Sequence, residues 1–198
     1  MHARSSKNFV IGLIILVASA AAFAEEALQV ARIDSAGKLQ KPADLQNWIF
    51  LGASLGMGYN PGSFNAAKPG QFQVVLMEPN AYRYFTENKR YAPGSMFLLS
   101  FYDADQRRSI NQNGFVQADL TNYEIHLVSP GEGEERHAFY MFGANDKQGN
   151  RVPAGNACVR CHVSHGAFDG TFAQFYPTIR PLIPADALQR ALQDHDIR

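Results

Sequence analysis

Apolar positions along this chain recur mostly with a period of two, in short runs broken by Gly, Pro and Asn, and only in a few places with the helical period. Gln71 to Met77, with Val74, Val75 and Leu76 between Gly70 and Pro79, predicts a strand. Met96 to Tyr102 is the most apolar stretch after the first two dozen residues, is rich in aromatics and predicts a buried strand. Phe115 to Asp119, Tyr123 to Val128 and His137 to Phe142 predict three more, each short and bounded by turn formers. A helix is predicted from Pro42-Ala43-Asp44 through Trp48 to Leu51, with Leu45, Trp48, Ile49 and Leu51 on its apolar face. A second starts near Pro79, carries Ala81, Tyr82, Tyr84 and Phe85, and stops before Pro93-Gly94. A third, opened by Pro184-Ala185-Asp186, bears Leu188 and Leu192. Gly52-Ala53-Ser54-Leu55-Gly56-Met57-Gly58 lacks the G-x-G-x-x-G order of a phosphate-binding loop and reads as a flexible, turn-rich segment. Residues 60–70, Gly131 to Glu135 and Asn145 to Gly155 read as loops. The sum is an α+β fold, an antiparallel β-sheet flanked by helices, with no internal repeat.

The first residues follow a different logic. Arg4 and Lys7 precede an apolar run from Phe9 to about Val17, and a small-residue stretch ends in Ala22-Phe23-Ala24 before Glu25-Glu26. A membrane span needs about 20 apolar residues, and Ala-Phe-Ala matches the A-x-A cleavage pattern. Residues 1–24 are therefore predicted to be a secretory signal peptide cleaved after Ala24, which gives a periplasmic address; a retained anchor is the competing reading. Residues 25–198 are 174 in number, a length that suits a single domain with a sizeable core. Removing Arg4 and Lys7 leaves 16 basic and 18 acidic residues, a formal charge of −2. Without clustered Lys and Arg, a nucleic-acid partner is not expected. Apolar packing must hold the domain, and 14 Phe and 8 Tyr provide bulky material for it.

Both cysteines lie in Cys158-Val159-Arg160-Cys161-His162, the C-x-x-C-H pattern of c-type haem attachment. The chemistry explains the spacing. Two thiols add across the two vinyl groups on one porphyrin edge while the next imidazole swings under the ring to reach iron. Positions three apart are neighbours on a helical turn, and a proximal His is a common ligand of haem iron. One covalent haem c is predicted, held by Cys158 and Cys161, with His162 as the ligand to its iron. A structural zinc site would want four ligands, and no second Cys pair exists. A thioredoxin-like pair would sit between a strand and a helix of a βαβ unit; with a haem on both thiols, no disulfide forms. Export agrees with haem attachment, since c-type haems are attached on the far side of the bacterial inner membrane. His165 cannot reach the opposite side of the same iron and reads as solvent-facing or capping. His126 and His137, on predicted strands, are candidate distal ligands.

Beyond the pattern itself, Gly166, Asp169, Thr171-Phe172 and Gln174-Phe175-Tyr176-Pro177 complete a segment that resembles the C-terminal signature of the cytochrome P-460 family. Trp48-Ile49-Phe50-Leu51-Gly52, Pro79-Asn80-Ala81-Tyr82 and Pro93-Gly94-Ser95-Met96-Phe97 also resemble family segments, so the similarity covers most of residues 44–178. The resemblance implies an antiparallel sheet flanked by helices with haem attached near the C-terminus, a homodimer, a periplasmic address and a five-coordinate haem whose second face is open to small ligands. In some members a lysine-to-porphyrin bond accompanies hydroxylamine oxidation or nitric oxide binding, the lysine lying on the strand after the Pro-Gly turn. Here that strand, Met96 to Tyr102, has no lysine, and Lys89 and Lys68 lie outside it. Members without the link, similar to cytochrome c-prime-beta, have apolar, often Phe-lined distal pockets. Phe97, Leu99 and Phe101 are the candidates for such a lining, while Phe172, Phe175 and Tyr176 either pack on the porphyrin edge or fill the core.

Three functions stand as expectations. The first is a haem protein that binds a small gaseous or nitrogenous ligand, such as nitric oxide, at a vacant axial position, for sensing, scavenging or slow redox turnover. The second is a six-coordinate electron-transfer cytochrome with a periplasmic redox partner, its Met ligand drawn from Met57, Met77, Met96 and Met141. The third is a hydroxylamine-oxidising enzyme.

Overall fold

Seven strands build one sheet in the computed structural model, which describes residues 31–58, 62, 64–106 and 109–193. The expected signal peptide lies outside these residues. No helix among them is long and apolar enough to cross a membrane. The strands are β1 (Leu39–Gln40), β2 (Ile49–Leu55), β3 (Gln71–Met77), β4 (Met96–Asp105), β5 (Val116–Val128), β6 (His137–Gly143) and β7 (Gln148–Arg151). Their order is β1-β7-β6-β5-β4-β3-β2, and every pairing is antiparallel. The chain thus runs as a meander from β2 to β7, and β1 adds to the far edge. Three helices, α1 (Pro79–Asn88), α2 (Ala157–His165) and α3 (Ala185–Gln193), complete the expected α+β architecture.

Period-two alternation sorts side chains between two cores. Met96 and Leu98 of β4 join Leu39, Trp48, Tyr123, Ile125, Tyr140 and Phe142 on one face. Phe97 goes to the other, with Leu51, Val75 and Met77, beneath Ala81 and Phe85 of α1 and Ala173, Ile179 and Ile183 of the C-terminal segment. Edge to edge, a flat seven-stranded sheet spans about 29 Å at the usual strand spacing. The stretch from β1 to β2 must bridge those edges in nine steps that include a 3-10 turn, a reach of about 26 Å. The linker crosses the face on which Trp48 is buried. A cleft of about 220 Å³ on that face, lined by Leu76, Leu98, Ser100 and Tyr123 among others, is separated by the sheet from the C-x-x-C-H segment.

Helix α1 begins where Glu78 accepts a hydrogen bond from Ala81 N–H at 2.7 Å, with Pro79 in the first turn. It ends at Lys89 in the left-handed conformation, φ 55°. The helix expected from Pro42 to Leu51 is not formed. Leu45–Asn47 make one 3-10 turn, and Ile49 already belongs to β2. The expected flexible segment after Gly52 is also wrong, since β2 runs on to Leu55. Gly52 is there for contact: a Cβ at that position would lie 3.0 Å from Pro177 Cδ and 3.1 Å from Phe175 O. The two strands expected over residues 115–128 are one continuous strand, and register shifts opposite Phe101 and Tyr102 absorb the polar Thr121-Asn122 pair. The loop expected over Asn145 to Gly155 contains β7, where Gly149 lets the strand lie on the Phe142 ring.

Candidate functional site

Helix α2 is set by the residues just before the cysteines. Asn156 takes the N-cap, its side chain accepting from Cys158 N–H at 3.0 Å. Nine residues make a helix too short to persist alone. Val159, buried with Phe139 and Val152, ties it to the sheet. Cys158 and Cys161, both half-buried, stand one turn apart and are not joined in a disulfide. Burial raises the Cys158 thiol pKa, and the nearby Glu124 carboxylate adds to the rise.

At the C-terminal end of α2 the chain folds back under His162. Gly166 N–H donates to His162 O at 3.0 Å, and a Cβ on Gly166 would lie 2.6 Å from that oxygen and 2.8 Å from Thr171 N. Only glycine fits. The returning loop brings Gly170 O to 2.7 Å from His162 Nδ1. A carbonyl can only accept, so Nδ1 carries the hydrogen and Nε2 holds the lone pair. Phe139 and Phe172 each approach the His162 ring with centroids 4.6 Å away. Burial lowers the His162 pKa to about 4, outweighing the Gly170 hydrogen bond that pushes upward. At neutral pH the imidazole is therefore uncharged, the form that binds a metal. Two thiols and a neutral imidazole with a directed lone pair on one short helix are the donor set that covalent haem attachment requires.

The fold-back loop is held by further bonds. Arg136, at the end of the 3-10 turn before β6, donates to both carboxylate oxygens of Asp169 at 2.8 and 2.7 Å and to Tyr91 O at 2.9 Å. Thr171 Oγ1 donates to Phe168 O at 2.7 Å and meets Tyr91 OH at 3.1 Å. Burial pushes the Tyr91 hydroxyl pKa far up, so it stays protonated. Gln174 accepts from Ala167 N–H at 3.1 Å and donates to His165 O at 3.0 Å.

His126 and His137 do not stand opposite His162, as distal ligands would. The His126 ring lies edge-on to that of His162 with centroids 5.5 Å apart, and its Nε2 is 2.9 Å from His137 Nδ1. These two nitrogens are turned to each other rather than toward His162, so neither is presented as a ligand. Burial lowers the pKa of both, most strongly for His126.

Of the proposed pocket lining, Phe97 is buried and stacks on His126 at 5.6 Å, while Leu99 and Phe101 are half-buried farther along β4. Phe172 touches His162, Tyr176 packs into the core, and Phe175 is half exposed. Met77 and Met96 are fully buried, whereas Met57 and Met141 reach the surface. Lys89 caps α1 and Lys68 lies in an exposed loop.

One residue escaped the sequence reading. Glu124 lies two before His126 on β5, hence on the same face, in register between Leu99 of β4 and Met141 of β6. Burial raises its carboxyl pKa. Its effect on the Cys158 thiol puts it beside the attachment helix. A carboxylate at an alternate position of an otherwise inward-facing strand was the available signal.

Compared with known protein families, residues 42–173 match the family Cytochrome P460. No curated protein matches the chain. That match runs from the linker before β2 through Cys158, Cys161 and His162 to the loop that holds them, and by it the chain belongs to the cytochrome P-460 family of haem proteins.

Proposed function

We propose that this chain is an exported, periplasmic c-type monohaem protein whose iron binds a small ligand such as nitric oxide. Cys158 and Cys161 form the two thioethers, and His162 is the proximal ligand. One observation carries the reading: both thiols and an imidazole with its Nδ1–H committed to Gly170 O sit on one helical turn, which leaves Nε2 for iron. Bound there, an iron porphyrin would supply a one-electron couple and a coordination position for a small ligand. The chain does the rest. Phe139 and Phe172 orient the imidazole and keep water from it. Glu124, kept nearer its neutral form by burial, is suited to hold and return a proton on the sheet face toward α2. The lysine-free β4 supports a member without a porphyrin cross-link, and family resemblance supports a homodimer.

The test is an absorption spectrum of protein matured in a host with haem-ligation machinery, taken with and without nitric oxide. A high-spin ferrous form that shifts on adding the ligand is expected. A low-spin spectrum with a methionine-to-iron band would favour the electron carrier instead. Half-exposed Met141 is then the candidate sixth ligand, being on the same face of β6 as Phe139. A colourless product with the mass of the bare processed chain refutes both.

A further inference from the structure

Behind His162 lies a second pair of imidazoles that the proposed chemistry does not use. His126 is held flat between two rings, Phe139 at 4.4 Å and 15° and Phe97 at 5.6 Å and 26°. The stacking restrains the ring plane, and its Nε2 is aimed at His137 Nδ1 at 2.9 Å. The two residues meet because Val128 pairs with His137 in the β5–β6 ladder, which puts His126 diagonally across from it on the same face. The hydrogen bond in turn fixes the His137 ring, whose Nδ1–Cε1–Nε2 side lies on Gly170. A Cβ at Gly170 would come within 2.5 Å of His137 Cε1 and 2.6 Å of its Nε2. Gly170 also has φ +64°, so both its conformation and its packing require glycine. Its carbonyl is the one that receives His162 Nδ1–H.

We infer that His126 and His137 are positioning residues for the proximal ligand: their hydrogen bond presses the His137 ring on Gly170, and so fixes the distance and angle at which Gly170 O holds His162. This rests on the haem reading given above. The strength of the Nδ1–H hydrogen bond sets how much electron density His162 gives to iron, and outer partners of this kind tune metal sites by one to two orders of magnitude. A pair serving only as core filler would be replaceable by any two rings of the same size.

The experiment uses the haem-loaded protein and two variants. His126→Phe keeps the stack between Phe97 and Phe139 but removes the hydrogen bond. His126→Gln restores an amide at the place of Nε2. The readouts are the reduction potential and the iron–histidine stretching vibration of the ferrous form. His126→Phe is expected to change the ferric-to-ferrous equilibrium by about tenfold, or about 59 mV for a one-electron couple, and to move the vibration, while His126→Gln returns both most of the way. Should His126→Phe fail to accumulate, His137→Gln replaces it, since its amide lies at the Nε2 position and loses the contact at Nδ1; the same shift is expected. Wild-type potential and vibration in the ring-for-ring variant overturn this inference and leave the haem reading intact. A wild-type chain that emerges without haem overturns both.

Discussion

Replacing Asp169 tests how firmly the loop under His162 is tied to the sheet. Arg136 and Asp169 form a two-pronged ion pair with side chains 20% and 24% exposed. Exposed pairs contribute about 0–1 kcal/mol, and breaking a buried one costs about 3–5 kcal/mol. At this exposure the loss should be about 2 kcal/mol. The choice of replacement matters, because Asp169 sits at φ 43°, a left-handed conformation that Asn tolerates and Ala does not. Asp169→Asn should therefore report the charge alone, about 2 kcal/mol. Asp169→Ala should cost about 1 kcal/mol more, for the strained backbone. For a domain this size, 2 kcal/mol is a fall in Tm of about 4–8 °C. Urea unfolding of Asp169→Asn, Arg136→Gln and the double variant gives the coupling directly, expected at about 1.5 kcal/mol. If the single losses add to within about 0.5 kcal/mol, the pair behaves as a solvent-screened surface contact and the tether is refuted. Equal losses for Asn and Ala would refute the backbone part separately.

Gly149→Ala would drive a Cβ to 2.3 Å from the Phe142 ring and should cost about 1–3 kcal/mol by thermal unfolding, with part recovered when Phe142 is also changed to Leu. Glu124 has a folded-state pKa raised above its ordinary 4.5 by burial, so the stability it contributes is complete below that value and is lost as pH rises through the folded pKa. Glu124→Gln should then raise Tm at pH 7 and leave it unchanged at pH 4; a difference that is the same at both values contradicts the burial. His162 works in the opposite sense in the haem-free Cys158→Ala/Cys161→Ala chain. Its pKa is lowered from 6.5 to about 4, the unfolded chain binds more protons in that interval, and stability should fall by about 3 kcal/mol as pH drops through it. Urea midpoints at a series of pH values check this, and His162→Phe should remove the His162 share of the fall while leaving that of the likewise lowered His126 and His137.

Strands β3, β4 and β6 were legible because alternation and bounding Gly or Pro agreed on them. β2 was not: Leu45, Trp48, Ile49 and Leu51 fit a helical face as well as a strand, and Pro42-Ala43-Asp44 is a genuine helix-start signal that yields only a 3-10 turn. What decides in favour of the strand is remote, the seating of Pro177 on Gly52 and the bond from Thr178 N–H to Leu51 O at 3.3 Å. β7 has no apolar alternation to read, since Gln148-Gly149-Asn150-Arg151 owes its form to pairing with Leu39 and Gln40 on one side and Tyr140 and Met141 on the other. Cys158, Cys161 and His162, the residues proposed to hold haem, stood out as chemistry from their spacing alone. The His126–His137 pair was not, because its partners meet only through the register of the β5–β6 hairpin.

The residues that carried the family resemblance beyond C-x-x-C-H turn out to share one mechanical task. Gly166 permits the reversal after α2, Asp169 anchors the returning loop to Arg136, and Thr171 bonds both Phe168 O and Tyr91. Phe172 faces the His162 ring, Gln174 ties the helix end to the loop, and Pro177 closes on the sheet at Gly52. Gly170, at the centre, presents the carbonyl that His162 needs. A segment with so many separate attachments resists displacement, because moving the carbonyl means breaking several of them together. The short helix alone could not hold an imidazole at a fixed angle. Precision at His162 is thus a property of the loop behind it, and substitutions in residues 166–174 should disturb the His162 imidazole more than equally buried ones on α1.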